Sequence, residues 1–144
     1  MNIRKATYHD APAIKLLLGA LGYDTRTSIL VHQLETLFGQ EDHQIFVYVS
    51  QREVSGFVAV HFMPQLAFDG GLVFISYLAA EEPANNSAIA KALEQFVVEL
   101  ARKKKSDRIQ VHCMDWRTPT HKFYVQQGYQ EYPKYFTKRL VYAE

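Results

Sequence analysis

The sequence predicts one α/β domain with a mixed, mostly antiparallel central sheet and helices on both of its faces. Its 144 residues suit a single domain over residues 1–144, and 48% hydrophobic with 22% charged residues is typical of a globular protein. The hydrophobic spacing alternates between the periods of strands and helices, in the order β-α-α-β-β-β-α-β-α-β. A strand-helix-strand unit that begins at residue 72 requires at least one parallel pair. We therefore expect six to seven strands and about four helices.

The first 40 residues predict a short strand and a helical hairpin. The elements are a strand over residues 2–7, a helix over residues 11–21, and a second helix that Thr27 or Ser28 can cap and that continues until Gly39. Asp10 is a favourable N-cap, Pro12 fits a first turn, and Gly22 can end the first helix. Apolar residues recur at helical spacing in both helices, so each presents one apolar face.

The next segment is rich in β-branched and aromatic residues, which favour strands. From His43, "HQIFVYVS" and "EVSGFVAVHFM" flank a polar "QRE" turn and predict an antiparallel pair. Pro64 ends the second strand and "FDGG" predicts a turn. The following "LVFISYLAA" is apolar on both faces, as expected for a strand at the centre of a sheet.

Residues 86–104 predict the longest helix, because they carry one continuous apolar stripe. Its basic last turn, residues 102–105, complements the carbonyl end of the helix, although the same run is compatible with a nucleic-acid patch. "DRIQVHCMD" then predicts a short strand, and "TPTHKFYVQQGY" predicts a helix with Pro119 in its first turn and Gly128 at its end. The tail, "YQEYPKYFTKRLVY", is expected to add one or two closing strands.

Charge and cysteine content exclude several classes of partner. With 16 basic and 15 acidic side chains, a net charge of +1 gives no overall field to attract nucleic acid or a membrane surface. The single cysteine, Cys113, excludes an internal disulfide and suits a reducing compartment. The histidines are scattered, and His112 beside Cys113 in a strand points to the opposite face, so we expect no metal site. A polar start and no run of about 18 apolar residues predict a cytoplasmic protein without a membrane partner.

The junction between the central strand and the longest helix, "EEPANNSAIAKALEQF" over residues 81–96, is a candidate anion site. The first N–H groups of a helix lack intrahelical partners and carry partial positive charge, which suits a phosphate. The stretch contains no glycine, which would let a ligand approach the backbone closely. The alternative is an ordinary turn in which Asn85, Asn86 or Ser87 caps the helix.

This junction resembles the acetyl-CoA loop of the GNAT superfamily of N-acetyltransferases. In "LAAEEPANNSAIA", residues 78–80 correspond to the family's "L-A-V" tripeptide and residues 85–90 to its Q/R-x-x-G-x-G/A loop. The spacing is intact, but Asn85, Asn86 and Ala88 depart from the usual residues of the loop.

A second segment is similar to the stretch R-x-x-A-H-x-F-Y-x-x-x-G-Y that bacterial members of this family often carry. The matching residues are Arg117, His121, Phe123, Tyr124, Gly128 and Tyr129. Thr120 replaces the usual alanine. Phe136, Lys138 and Leu140 then match an F-x-K-x-L ending, and "IRKAT" begins an N-terminal likeness, so the resemblance runs from about residue 3 to residue 140.

The resemblance implies a GNAT-like fold and an enzyme that moves an acetyl group from acetyl-CoA, as co-substrate, to an amine of a small molecule or protein by direct attack. It implies that Tyr124 donates a proton to the departing CoA thiolate, since a phenol stays protonated at neutral pH. A backbone N–H near residues 78–80 would polarise the thioester carbonyl. The cofactor-binding residues that it implies are Leu78, Ala79, Ala80, Asn85, Asn86, Ser87, Ala88, Ile89, Ala90, Arg117 and Tyr124. Because the loop is altered, we expect weakened rather than absent cofactor binding.

The group that deprotonates the acceptor amine is left open by the sequence. Ser76 lies two residues before the tripeptide, where relatives often carry a glutamate, and a hydroxyl alone is no base near neutral pH. Glu81, Glu82 and His112 are possible substitutes. The alternative function is a catalytically weak or inactive relative that binds CoA as an effector, or an interaction module. The aromatic residues of "YQEYPKYF" are compatible with sheet core or with a homodimer contact.

Overall fold

The computed structural model describes residues 2–82, 87–113, 118–132 and 134–142 of the chain, and its five strands form one sheet. The strands, in spatial as well as chain order, are β1 Ile3–Lys5, β2 His43–Ser50, β3 Glu53–Met63, β4 Leu72–Ala80 and β5 Arg108–Val111. The helices are α1 Ala11–Ala20, α2 Thr27–Phe38, α3 Ala88–Lys103 and α4 Thr118–Gln126, with a 3₁₀ helix at Tyr8–Asp10. None of the helices in these ranges has the length and apolar character that a bilayer span requires.

The sheet is mixed, as predicted. Neighbouring strands are antiparallel from β1 to β4, whereas β4 and β5 are parallel. Two parallel neighbours need a crossover connection, and α3 supplies it between β4 and β5. The predicted α/β architecture, with a mostly antiparallel sheet and four helices, is therefore confirmed.

Alternating side chains of the strands build a separate apolar layer on each face of the sheet. The helices α1 and α2 cover one face, where Val47 and Phe57 are buried. The helix α3 covers the other face, where Val58 and Leu93 are buried. Phe123 of α4 is buried in a cluster that includes the start of α3 and the end of β4. The helices α3 and α4 therefore flank the same end of β4.

The C-terminal tail forms no strand in residues 130–132 and 134–142, so the predicted closing strands, and with them the total of six to seven strands, are wrong. A strand is stabilised when one of its faces is buried on a core. Here Tyr132 and Phe136 are 82% and 92% exposed. One aromatic contact holds the tail near the end of β5, where the rings of Tyr135 and His112 stack with centroids 4.1 Å apart.

Asp10 is the N-cap residue of α1, as predicted, but its side chain ties this helix to the first strand and makes no capping hydrogen bond to α1. Its carboxylate accepts two hydrogen bonds from the Arg4 guanidinium, at 2.8 and 2.9 Å, and one from the Thr7 N–H at 2.8 Å. The bonds from Arg4, and then those from Thr7, hold the pKa of Asp10 below its usual value despite burial. The start of α1 is therefore fixed against β1.

Candidate active site

The last part of β4 presents an unpaired backbone edge. β5 pairs with β4 only from Leu72 opposite Arg108 to Ile75 opposite Val111, whereas β4 continues to Ala80. On the side that faces β5, residues 76–80 thus have no strand partner among the described residues. Such an edge exposes N–H and C=O groups with which an extended ligand can pair. The tripeptide that resembles the family's "L-A-V" lies in this edge.

A β-bulge at Ser76 marks the start of the unpaired edge. On β3, Ala59 and Val60 are consecutive, but their partners on β4 are Tyr77 and Ile75. Ser76 is therefore the extra residue of the bulge. Its hydroxyl donates a hydrogen bond to the Ala59 carbonyl at 3.2 Å, so this side chain is directed at the β3 backbone.

Helix α3 begins beside this edge and is capped by Ser87. The buried Ser87 hydroxyl accepts a hydrogen bond from the Ala90 N–H at 3.0 Å, so Ser87 fulfils the predicted capping role. Asn85 and Asn86 lie outside the described residues. Because the cap occupies the Ala90 N–H, the amides of Ala88 and Ile89 are the first-turn donors that remain for an anion.

Tyr124 of α4 is buried beside the same edge. It is 6% exposed, and its ring meets those of Phe123 and Tyr129 edge to face, with centroids 5.1 and 5.2 Å away. It clusters with Ala90 of α3. The partly buried side chains packed on this cluster are Leu78, Ala80, Val111, Cys113 and Tyr129. The structure thus brings together Tyr124, the β4 edge and the start of α3, whereas Arg117 lies outside the described residues.

Burial is the main cause of the raised pKa values of the two tyrosines in this cluster. It raises the pKa of the Tyr124 phenol far above its ordinary value, and Cys113 and Glu94 raise it further. The pKa of Tyr129 is raised in the same way, by burial and then by Glu94. Tyr124 is therefore protonated throughout the neutral range, as a proton donor must be.

Two further residues belong to the candidate site although no sequence pattern assigned them to it. Glu94 is only 3% exposed and accepts a hydrogen bond from the Tyr129 hydroxyl at 2.9 Å. Burial raises the pKa of its carboxyl group. A charged residue four positions after Ala90, on the apolar face of α3, is the sequence signal that could have indicated it. Cys113 packs against the cluster that contains Tyr124.

The candidate bases lie in different surroundings. His112 is exposed and stacks on Tyr135. Glu81 follows β4 directly, its N–H donates to the Ser55 carbonyl at 3.0 Å, and its side chain and that of Glu82 are exposed. These two carboxylates therefore stand in solvent at the end of the unpaired edge. In the described ranges, no three His, Cys, Asp or Glu side chains gather to hold a metal ion.

Two surface cavities lie away from this edge. One, of about 470 Å³, is bordered by His43 and the end of α2. The other, of about 650 Å³, lies between β1 and α3 and is bordered by Phe96. Neither includes Tyr124 or residues 76–90. The candidate site is thus defined by the unpaired strand edge, which suits an extended ligand, and not by either of these cavities.

Comparison with solved structures shows that the fold is shared. A transcriptional regulator from Bacillus halodurans C-125 is 20% identical, with a TM-score of 0.84 over 96% of this chain and 98% of that chain. A GNAT family acetyltransferase from Staphylococcus aureus is 17% identical, with a TM-score of 0.79 over 97% and 100% of the two chains. An acetyltransferase from Trypanosoma brucei is 17% identical, with a TM-score of 0.76 over 96% and 98%.

Comparison of the sequence itself identifies the family. Curated protein sequences give no match. The family model described as "Acetyltransferase (GNAT) family" matches residues 11–129, which include the end of β4, the start of α3 and Tyr124. The chain therefore belongs to the GNAT family of acetyltransferases.

Proposed function

We propose that this chain transfers an acetyl group from acetyl-CoA to an amine of a small molecule or protein by direct attack. The proposal is carried by one observation, the buried phenol of Tyr124 beside the unpaired edge of β4 and the start of α3. These features meet three needs of acetyl-CoA, the co-substrate of GNAT domains. They offer an acid for its thiolate, a strand edge for its extended pantetheine arm, and helix amides for its pyrophosphate.

In the proposed complex, the pyrophosphate faces the amides of Ala88 and Ile89. Alanine fits the right-handed backbone of a first helical turn, so the missing glycine costs little in conformation. Its methyl group limits how closely the phosphate approaches, and Ser87 keeps the Ala90 amide from the ligand. We therefore expect weaker binding than a glycine-rich loop gives. We also propose that residues 85–86 and Arg117 contact acetyl-CoA.

The proposed reaction is a direct transfer of the acetyl group to the amine at the unpaired edge of β4. The nitrogen lone pair of a neutral amine attacks the thioester carbon, while a backbone N–H of residues 78–80 donates to the carbonyl oxygen. The carbon–sulfur bond breaks, and Tyr124 gives its proton to the thiolate. The proton of the acceptor nitrogen leaves to solvent near the exposed Glu81 and Glu82. Tyr124 regains a proton from solvent after CoA departs.

A second candidate function is a relative that binds CoA as an effector without turnover. Two observations favour it. The Ser76 hydroxyl is directed at the Ala59 carbonyl and offers no base to an acceptor. The Ser87 cap takes one of the amides that would otherwise receive the pyrophosphate.

Tyr124→Phe tests the enzymatic proposal, because it removes the acid and keeps the ring. Acetyl-CoA affinity is measured by calorimetric titration, and turnover by release of the CoA thiol across a panel of amines. We expect kcat to fall by about 10²-fold while affinity changes by less than about threefold. The matched control, Tyr132→Phe, removes a hydroxyl from a ring that is 82% exposed and should keep wild-type activity.

The same measurements separate the two candidates. Binding of acetyl-CoA without thiol release for any amine would favour the effector relative. If millimolar acetyl-CoA gives neither heat nor a shift in melting temperature, both candidate functions are wrong.

A further inference from the structure

Glu94 is a buried carboxylate that the proposed reaction does not use. It lies in the middle of α3, on the helix face that also buries Leu93 and Val97, and it is 3% exposed. Burial of such a group costs free energy unless hydrogen bonds compensate, and an apolar side chain at this position would avoid the cost. The carboxylate therefore requires an explanation in terms of what it holds in place.

A continuous chain of contacts leads from Glu94 to Tyr124. The Tyr129 hydroxyl donates to Oε2 of Glu94 at 2.9 Å. The Tyr129 backbone N–H donates to the Tyr124 carbonyl at 3.0 Å, and the two rings meet at 70° with centroids 5.2 Å apart. Gly128, with φ of 93°, makes the turn after α4 that brings Tyr129 back onto Tyr124. Glu94 thus fixes the ring against which the phenol of Tyr124 rests.

We propose that Glu94 is a positioning residue, which anchors the ring of Tyr129 and thereby holds the phenol of Tyr124 at the unpaired edge of β4. The inference rests on the proposed function, in which that phenol must meet the departing sulfur. Proton transfer requires hydrogen-bond distance, and a displacement of about 1 Å at a reacting group costs about 10²-fold in rate. The same hydrogen bond joins the residue after α4 to α3, the helix that begins at the proposed pyrophosphate site.

Glu94→Leu separates positioning from stability. Leucine removes the anchor but fits a face that is otherwise apolar, so the melting temperature should hold or rise. We expect kcat to fall about tenfold, with the KM for acetyl-CoA within about threefold. Glu94→Gln keeps an oxygen that can accept from the Tyr129 hydroxyl and should restore kcat to within about threefold of wild type. Glu99→Leu, at an exposed position of the same helix, is the matched control.

A double-mutant cycle with Tyr124→Phe tests whether Glu94 acts through the phenol. If it does, Glu94→Leu and Tyr129→Phe each lower turnover in the wild-type background but change it by less than about twofold when Tyr124 is already phenylalanine. The same fold-loss in both backgrounds would mean that Glu94 acts elsewhere, and would overturn the proposal.

A readout that needs no turnover keeps this inference separate from the proposed function. In protein labelled with ¹³C at the tyrosine ζ carbon, the Tyr124 signal is the one lost in Tyr124→Phe. We expect Glu94→Leu and Tyr129→Phe to shift this signal, and Glu99→Leu to leave it unchanged. An unmoved Tyr124 signal in the first two variants would refute the positioning role. A shifted signal in a protein that acetylates no amine would support the positioning role while the enzymatic proposal fails.

Discussion

His43 and His61 form a largely buried pair across β2 and β3. They lie opposite each other in the antiparallel ladder, with ring centroids 4.1 Å apart. His43 is 6% exposed, and its Nδ1 atom has no hydrogen-bond partner in the part of the chain that the structure describes. Burial, and then His61, lower the pKa of His43 to about 4, and burial also lowers the pKa of His61. Both rings are therefore neutral in the folded protein at neutral pH.

We expect the free energy of unfolding to fall as the pH is lowered from 6.5 to about 4. The unfolded chain binds a proton on His43 near pH 6.5, whereas the folded chain does so only near pH 4, so protons favour the unfolded state in this window. At about 1.4 kcal/mol per pKa unit, the His43 contribution is about 3 kcal/mol; it is fully present above this window and lost below it. Urea titrations at a series of pH values measure the change.

His43→Phe should remove most of this dependence, because it replaces the imidazole by a ring that cannot be protonated. The carboxylate of Asp10, paired with Arg4, does not affect the free energy of unfolding in this pH window. Its pKa is lowered from 3.8, so the stability that it contributes is lost only at lower pH. An unchanged slope in His43→Phe would show that other groups cause the loss of stability.

At the scale of elements, helix α3 starts in close contact with β3 at Gly56. A Cβ atom on Gly56 would lie 2.7 Å from Cγ2 of Ile89, 3.0 Å from the Ala79 carbonyl oxygen and 3.1 Å from Cδ1 of Leu93. Gly56 also pairs with Ala80, the last residue of β4. The missing side chain therefore lets the first turn of α3 approach the sheet next to the unpaired edge.

Gly56→Ala is expected to lower the free energy of unfolding by about 1–3 kcal/mol, because a packed core resists an added methyl group. The methyl group would also displace the start of α3 from the β4 edge, so acetyl-CoA affinity should fall by about tenfold. Gly19→Ala in α1 is the matched control, since nothing lies within 4 Å of its added Cβ; we expect a gain of about 0.4–1 kcal/mol and unchanged affinity. Thermal denaturation and calorimetric titration measure both effects, and full affinity in Gly56→Ala would contradict this account.

Most elements were predictable because each buries one face, and the spacing of its hydrophobic residues indicates that face. The strands β2, β3 and β4 coincide with "HQIFVYVS", "EVSGFVAVHFM" and "LVFISYLAA". The unpaired edge was not predictable, since it depends on where β5 stops pairing and on the bulge at Ser76, and both are set by tertiary contacts. Tyr124 came from a resemblance. Helical spacing could indicate that Glu94 is buried, but its partner, Tyr129, is shown only by the structure.

At the scale of the whole molecule, the C-terminal tail adds exposed apolar surface. Its most exposed large apolar side chains are Tyr132, Phe136, Leu140, Val141 and Tyr142. The residue types of the tail suit strands, but strand-forming composition cannot reveal whether a sheet has a face and an edge to receive them. The prediction of closing strands failed for this reason.

A chain that ends after Tyr132 is expected to retain its free energy of unfolding to within about 1 kcal/mol, because the side chains of residues 134–142 are exposed. It should also remain in solution at higher concentration, since exposed apolar surface promotes association. Chemical denaturation and a solubility titration measure the two effects. Tyr135→Ala in the full chain isolates the stacking on His112. A loss of several kcal/mol on truncation would instead indicate that the tail pairs with β5.

The bulge at Ser76 changes which residues of β4 face α3. Before it, odd-numbered residues such as Ile75 face α3, and after it even-numbered residues such as Leu78 do so. Tyr77 consequently turns to the opposite face, where its ring meets that of Tyr23. Deletion of this one residue would make Ile75 and Tyr77 consecutive on opposite faces, as Val60 and Ala59 already are on β3. The later residues would therefore keep their faces, and the strand would lose only the extra residue and its hydrogen bond to the Ala59 carbonyl. The extra residue thus lies where β4 changes from a strand that is paired on both sides to one with an unpaired edge.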